Sequence, residues 1–237
     1  AYANMALEKI DAALADARLA LKLEPELAPA YLIRSRLYMS TGAFARAAAD
    51  AGRAVDLAPE DRQANDAAAI AYTEVARFEL AEQAADKLVA LAPADADALN
   101  ARCWIRALKP DPKGALPDCD AAIAANPEHF QARDSRAFAL WQLGRLEDAR
   151  AELAVAEKLD PDFWDWSKRE ERILTVMIRR YLKSLGRYRG PLDGDFEDPG
   201  PTSAAIRAYQ ADAGLQQTGA PSRDLMAQLA SDYADRN

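Results

Sequence analysis

The carboxylates of the segment "DGDFED", Asp193 to Asp198, are the residues most able to do chemistry. Such a density of acids would suit a calcium loop, but glycine stands second rather than sixth, and the twelfth place, Ala204, offers no carboxylate. Two carboxylates could also hydrolyse a glycosidic bond, yet nothing in the sequence raises the pKa of one acid or places the pair in a cleft. We therefore predict neither a metal site nor catalysis from this segment.

The remainder of the sequence contains no catalytic motif. There is no Gly-x-Ser-x-Gly, phosphate-binding loop, dinucleotide fingerprint or pairing of cysteine with histidine. The single histidine, His129, lies at an expected turn, and Cys103 and Cys119 are too far apart in sequence to show the spacing of zinc ligands. The sequence predicts a protein that is not an enzyme and that needs no metal and no cofactor.

A repeat of 34 residues organises most of the chain. Its prolines are Pro25, Pro59, Pro93, Pro127 and Pro161. When each proline is numbered position 32, position 20 is always alanine: Ala13, Ala47, Ala81, Ala115 and Ala149. Small residues at a fixed place let two antiparallel helices pack closely, and proline ends the second helix. The pattern predicts a stack of helical hairpins over residues 1–165.

This pattern resembles the tetratricopeptide repeat (TPR) family, with a partial first repeat followed by four full repeats. The usual tryptophan at position 4 is replaced by Tyr31, Asn65, Leu99 and Arg133. The resemblance implies an all-α, right-handed solenoid whose concave face binds a protein or peptide partner. The positions that line this face in the family correspond here to the candidate groove residues Arg36, Asp66, Ile70, Asn100, Trp104, Asp134, Phe138 and Trp141.

The aromatic residues Trp104, Phe138 and Trp141 gather near one end of that face. They could anchor the side chains of a bound peptide. Alternatively, the C-terminal segment folds back over them as a cap, because the ends of a solenoid need covering. We favour the cap.

Cys103 and Cys119 occupy positions 8 and 24 of one repeat. In an antiparallel hairpin that turns near position 16, these two positions face each other, which makes the pair a candidate disulfide. Two buried thiols that pack as small apolar groups are an equal alternative. A bridge would stabilise the fold by ~3 kcal/mol on the chain-entropy estimate and would indicate an oxidising compartment.

After Pro161 the repeat pattern ends, and a different unit is predicted over residues 166–237. Its first helix ends at Gly186, its second begins with Thr202 as the N-cap, and its third begins with Ser222 as the N-cap. The residues placed in its core by their spacing are Leu185, Ile206, Leu215 and Leu229.

The runs "LKSLGRYRGPLDGDF", "GPTSAAIRAYQADAGLQQTG" and "LMAQL" resemble the three-helix peptidoglycan-binding module found beside bacterial cell-wall hydrolases. The loop "FEDPGPT" is two residues longer than in the family, which would alter any ligand cleft. The resemblance implies docking on peptidoglycan, through the candidate residues Arg187, Tyr188, Asp193, Phe196, Thr202, Arg207, Tyr209 and Gln210. For Asp193, Thr202 and Gln210, bonding to backbone groups of the loops is the commoner role.

A basic run without any acid precedes this module's loops. It consists of Arg179, Arg180, Lys183, Arg187 and Arg189. Such a run is usually a solvated helix end favoured by the helix dipole. It could also meet the carboxylates of a stem peptide or glycan.

The charge pattern narrows the class of partner. The chain has 237 residues and a net charge of −8, with the acidic excess in the repeats and a balanced tail. An acidic array without a basic stripe argues against nucleic acid, and no apolar run is long enough to span a membrane.

Together, the residues and the resemblances predict a non-catalytic scaffold of the cell envelope, in the periplasm of a Gram-negative bacterium. Its array would bind a protein or peptide and its tail would bind peptidoglycan. Two alternatives remain. The chain could be the accessory region of a larger cell-wall hydrolase or signalling enzyme with an upstream catalytic domain, or the tail could only cap the solenoid.

Overall fold

The computed structural model describes residues 2–109, 112–160, 169–190, 192 and 200–234. Over these residues the regular structure consists of twelve α-helices and one short 3-10 helix, in agreement with the all-α prediction. The α-helices are α1 (Tyr2–Leu23), α2 (Ala28–Ser40), α3 (Phe44–Leu57), α4 (Arg62–Glu74), α5 (Phe78–Leu91), α6 (Ala96–Ala107), α7 (Leu116–Ala125), α8 (Phe130–Gln142), α9 (Leu146–Leu159), α10 (Arg169–Ser184), α11 (Gly200–Asp212) and α12 (Arg223–Ala234). The 3-10 helix spans Pro112–Ala115.

Helices α2 to α9 form four helical hairpins, one for each full repeat, and each hairpin packs on the next. The solenoid predicted from the repeat period is therefore confirmed. The first unit differs from a partial hairpin because α1 runs without a break from Tyr2 to Leu23. Its sequence contains no glycine or proline that would turn the chain.

The alanines at position 20 lie where the two helices of a hairpin meet. Ala47, Ala81 and Ala115 are completely buried, as the close-packing argument requires. The turn between the helices needs a left-handed residue, and Gly42 supplies it with φ 71°. The second hairpin uses Ala76 with φ 56° at the same place, a conformation that is strained for a residue with a side chain.

The residues that replace the family's tryptophan at position 4 share one contact in three repeats. Each donates a hydrogen bond to the carbonyl oxygen of the preceding position-32 proline. The pairs are Tyr31 with Pro25 at 3.0 Å, Asn65 with Pro59 at 2.9 Å and Arg133 with Pro127 at 3.2 Å. These bonds tie each turn between repeats to the start of the next hairpin, and leucine at Leu99 has no donor to do the same.

An ion pair between positions 7 and 23 recurs in three hairpins. The pairs are Arg34 with Asp50 at 2.6 Å, Arg102 with Asp118 at 2.6 Å and Arg136 with Glu152 at 3.0 Å. Asp118 is only 4% exposed and also accepts from Arg106 Nη1 at 2.7 Å. Because a buried carboxylate needs its charge and lone pairs satisfied, these pairs hold the two helices in a fixed register.

Cys103 and Cys119 are joined in a disulfide in the structure. Their Cα atoms are 5.2 Å apart, and both side chains are fully buried between α6 and α7. The bridge lies directly beside the Arg102–Asp118 pair, because each partner of one contact is adjacent in sequence to a partner of the other.

The tail forms the predicted three-helix unit from α10, α11 and α12. Its completely buried core residues are Ile178, Leu182, Ile206 and Leu229. Ser222 acts as the predicted cap of α12, since its Oγ accepts from the backbone N–H of Leu225 at 3.1 Å.

Two predictions for the tail are wrong. Thr202 is not the N-cap of α11 but lies inside the helix, with a buried side chain. Leu215 is 41% exposed rather than in the core. Its backbone N–H bonds back to the carbonyl oxygen of Gln210 at 2.8 Å, which ends the helix and leaves the leucine side chain beyond the last turn.

Candidate functional site

Helix α10 packs against the array along the ends of the first helices of successive hairpins. Its residues Met177, Ile178, Tyr181 and Leu182 belong to one buried cluster with the array residues Phe78, Leu108 and Phe138. Trp104 and Trp141 pack against the same cluster. The tail therefore packs into the same cluster as the three aromatic residues that were candidates for anchoring a partner, of which Phe138 is buried and Trp104 and Trp141 are half-buried.

Arg180 of α10 fixes this contact at the C-terminal end of α6. Its Nη1 donates to the carbonyl oxygens of Leu108 at 2.6 Å and Lys109 at 3.2 Å, and it lies 3.4 Å from Gln142 Oε1. The residue is 2% exposed, and this burial lowers the pKa of the Arg180 guanidinium. Carbonyl oxygens left unpaired at a helix C-terminus favour a cation, so the array supplies acceptors for the buried charge.

Lys183 makes the equivalent contact one hairpin earlier. Its Nζ donates to the carbonyl oxygen of Glu74, the last residue of α4, and lies 3.8 Å from Glu74 Oε2. The backbone N–H of Leu192 donates to the same carboxylate at 3.0 Å. Burial lowers the pKa of Lys183 to about 8, although the Glu74 carboxylate opposes the shift.

The interpretation of the basic run as a solvated helix end is therefore wrong for Arg179, Arg180 and Lys183. Arg179 and Arg180 are buried, and Arg180 and Lys183 bind the array. The sequence contained a signal for this: Arg180 stands four residues after Val176 and three after Met177, which places it on the apolar stripe of α10.

The N-terminal part of the predicted groove remains open. At position 9 of successive repeats, Arg36 and Ile70 are exposed, Trp104 is half-buried and Phe138 is buried, so coverage increases toward the tail. Ile70 is 52% exposed, a large fraction for an isoleucine.

Polar candidates line the same face at position 5. Asp66 is exposed, while Asn100 and Asp134 are half-buried. Although the residue as a whole is exposed, surrounding protein atoms desolvate the Asp66 carboxylate and raise its pKa, whereas the nearby Arg36 and Arg62 favour its charged form. Ile70 is therefore an open apolar position close in sequence to the charged residue Asp66 on the same helix.

Four of the tail candidates are buried inside the module: Tyr188, Thr202, Tyr209 and Gln210. Thr202 Oγ1 accepts from Arg179 Nε at 2.9 Å, and Tyr209 Oη donates to Asp232 Oδ2 at 2.7 Å. In the structure these side chains satisfy the module's own polar groups.

Of the other four tail candidates, two are described by the structure, and both of these are at least partly exposed to solvent. Arg187 is half-exposed and pairs with Asp212, and its guanidinium carbon lies 5.9 Å from the centre of the Tyr209 ring. Arg207 is exposed on α11. Asp193 and Phe196 lie outside the described residues.

The described residues were also compared with the requirements of a metal site and of a membrane-spanning helix. Within the described ranges, no three histidine, cysteine, aspartate or glutamate side chains come together to hold a metal ion. None of the described helices combines the length and the apolar character that crossing a membrane requires.

Comparison with known proteins gives a family for part of the chain. Residues 174–229 match the family PG_binding_1, described as "Putative peptidoglycan binding domain". No curated protein sequence matches the chain.

Solved structures resemble the chain at low sequence identity. The crystal structure of MamA has a TM-score of 0.59 and 19% identity, covering 67% of this chain and 93% of that chain. MamA 41-end from Desulfovibrio magneticus RS-1 has a TM-score of 0.59 and 16% identity, covering 67% of this chain and 90% of that chain. YrrB, a TPR protein with an unusual peptide-binding site, has a TM-score of 0.49 and 17% identity, covering 92% of this chain and 91% of that chain. These similarities concern the fold.

Proposed function

We propose that this chain, a tetratricopeptide repeat array that continues into a peptidoglycan-binding-like domain, is a non-catalytic scaffold of the cell envelope in the periplasm of a Gram-negative bacterium. The array binds a protein or peptide, and the tail docks on peptidoglycan. One observation carries the proposal: the segment that matches the family folds as three helices and is held against the array by Arg180 and Lys183.

The proposed mechanism is oriented tethering. Because α10 shares a buried cluster with the array, the two units hold a fixed relation rather than swinging on a free linker. A tail bound to the wall would present the open part of the groove in a constant direction. Two modest affinities on one chain then raise the local concentration of the partner at the wall.

The partner site that we propose is the N-terminal part of the groove. Ile33 and Ile70 are each 52% exposed there, and the charged side chains of Arg36 and Asp66 border them. The aromatic end is less open, because Phe138 is buried and Trp104 and Trp141 pack against the cluster to which α10 contributes.

A photo-crosslinking amino acid at Ile70 in the full chain tests the partner site. Leu19, which is 56% exposed on α1, is a matched control position. We expect cross-linked protein adducts in the envelope fraction from position 70 and not from position 19. Identical adducts from both positions would contradict a partner site in the groove. Co-sedimentation with purified cell-wall sacculi tests the tail.

A second candidate function is that the tail only caps the solenoid. The burial of Tyr188, Thr202, Tyr209 and Gln210 favours it, as does the packing of α10 into the cluster at the aromatic end. In that case the full chain would not bind sacculi, whereas loosening the tail would still lower stability.

A further inference from the structure

Arg207 stands apart from the other tail candidates that the structure describes. It is exposed on α11, and it makes no ion pair with any described residue, whereas the candidate Arg187 pairs with Asp212. An exposed guanidinium is usually mobile and costs rotamer entropy when it binds. The surroundings of Arg207 remove much of that freedom.

The Arg207 side chain lies flat across the backbone of Gly219. A Cβ added to Gly219 would come within 2.9 Å of Arg207 Nη1 and 3.0 Å of both Cγ and Cζ. Contact therefore extends along the whole length of the side chain. Glycine is needed here for two reasons, because the residue also has φ 66°, a conformation that other residues rarely adopt.

The loop that carries Gly219 is fixed by residues of the same helix as Arg207. Gln210 Oε1 accepts from the backbone N–H of Gly219 at 2.9 Å, and Gln210 Nε2 donates to Thr218 Oγ1 at 2.9 Å. Ser203 Oγ donates to the carbonyl oxygen of Gly219 at 2.6 Å. Helix α11 and the loop thus form one hydrogen-bonded surface, and the Arg207 side chain packs on it at Gly219.

This surface is open to a polymer. Next to Arg207, the outward face of α11 carries the exposed residues Ala204, Ala208 and Ala211, whose short side chains leave the guanidinium accessible. The loop beside it exposes the amides of Gln216 and Gln217. A planar cation framed by hydrogen-bonding groups suits a carboxylate, which the guanidinium can bind through two parallel hydrogen bonds.

We propose that Arg207, held in place by Gly219, is a preformed receptor for a carboxylate of the peptidoglycan stem peptide. This inference rests on the wall docking proposed above and names the part of the polymer that is bound. Stem peptides carry free carboxylates, whereas the neutral hydroxyls of the glycan would gain less from a guanidinium. Gln210, predicted as a contact residue, acts by positioning the loop instead.

The test uses the full chain and purified sacculi in a co-sedimentation titration. Arg207→Gln is expected to raise the apparent Kd by about tenfold or more, because hydrogen bonds to charged groups contribute strongly. Gly219→Ala keeps the charge but displaces the side chain, and it is expected to weaken binding as well. Arg189→Gln removes one exposed arginine elsewhere in the tail and is expected to change the Kd less than about twofold.

A second arm uses sacculi whose carboxylates have been converted to amides with carbodiimide and ethanolamine. On these amidated sacculi, binding of the wild-type chain should fall to the level of the Arg207→Gln variant. Binding of the variant itself should not decrease further after amidation. Equal binding of wild type and Arg207→Gln, or no effect of amidation on the wild type, would overturn the role of Arg207 while leaving wall docking intact. A wild-type chain that does not bind untreated sacculi would overturn both proposals. If Gly219→Ala fails to fold, the exposed Arg207→Gln variant decides the question.

Discussion

Arg180 Nη1 in the tail donates to the carbonyl oxygen of Leu108 at 2.6 Å, although 72 residues separate the two. The bond places a buried cation on the C-terminal end of an array helix, where orphan carbonyl oxygens favour positive charge. The tail is therefore held by specific polar contacts as well as by apolar packing.

Arg180→Met should destabilise the whole chain. It removes the donor to the carbonyl oxygens of Leu108 and Lys109, at a cost on the order of 2 kcal/mol. Urea unfolding measures the loss. Arg189→Met, at an exposed position, is the control and should change the free energy of unfolding by less than about 0.5 kcal/mol. Equal midpoints for the two variants would show that the Arg180 contact does not stabilise the fold.

Lys183 should make stability depend on pH. Burial lowers its pKa from an ordinary 10.5 to about 8, with Glu74 opposing the shift and Arg179 adding to it. Between these pH values the unfolded chain binds more protons than the folded chain, so the free energy of unfolding rises with pH in this window. The full effect is at most on the order of 3 kcal/mol.

Comparison with Lys183→Met isolates this contribution. The free energy of unfolding of the wild type, minus that of the variant, should grow between pH 8 and 10.5. Denaturant titrations of both proteins across the window measure the difference. If the free energies of unfolding of the two proteins change in parallel across this pH window, a lowered pKa for Lys183 is contradicted.

The disulfide should be present in protein prepared without reductant. Alkylation in denaturant followed by mass measurement should then find no free thiol, and both Cys103 and Cys119 should react after reduction. Replacing both cysteines with alanine should cost ~3 kcal/mol on the loop-entropy estimate. Two alkylated cysteines without reductant, in protein kept under oxidising conditions, would contradict the bridge.

The ion pair that recurs between positions 7 and 23 of the hairpins should contribute more to the free energy of unfolding where it is more buried. Among the described residues, Arg102→Ala leaves the buried carboxylate of Asp118 with Arg106 as its cationic partner, and we expect a loss of about 2 kcal/mol or more in urea unfolding. Arg145→Ala breaks the exposed pair with Asp148 and should cost less than about 0.5 kcal/mol. A similar loss of unfolding free energy in both variants would show that the burial of the Arg102–Asp118 pair does not increase its contribution to stability.

The repeats could be predicted from sequence because their determinants are local and periodic. An alanine that allows close packing and a proline that ends a helix act within one hairpin. The Arg102–Asp118 pair follows the same logic, since its separation of 16 residues equals that of Cys103 and Cys119. It could have been recognised from the residues that occupy the same two positions in other repeats.

The docking of the tail could not be predicted in the same way. It depends on contacts between residues that are far apart in sequence. Lys183, for example, contacts Glu74 across a separation of 109 residues. The tail candidates were drawn from a family motif, which does not distinguish residues that build the module from residues that bind a ligand. The structure separates buried Thr202 and Tyr209 from exposed Arg207.

Co-sedimentation of the full chain with purified sacculi from a Gram-negative bacterium tests most directly whether this chain docks on the cell wall. Insoluble cellulose serves as a control for nonspecific adsorption to polysaccharide. We predict that the chain saturably enters the sacculus pellet and stays in the supernatant with cellulose. A chain that remains in the supernatant with both polymers would contradict the account.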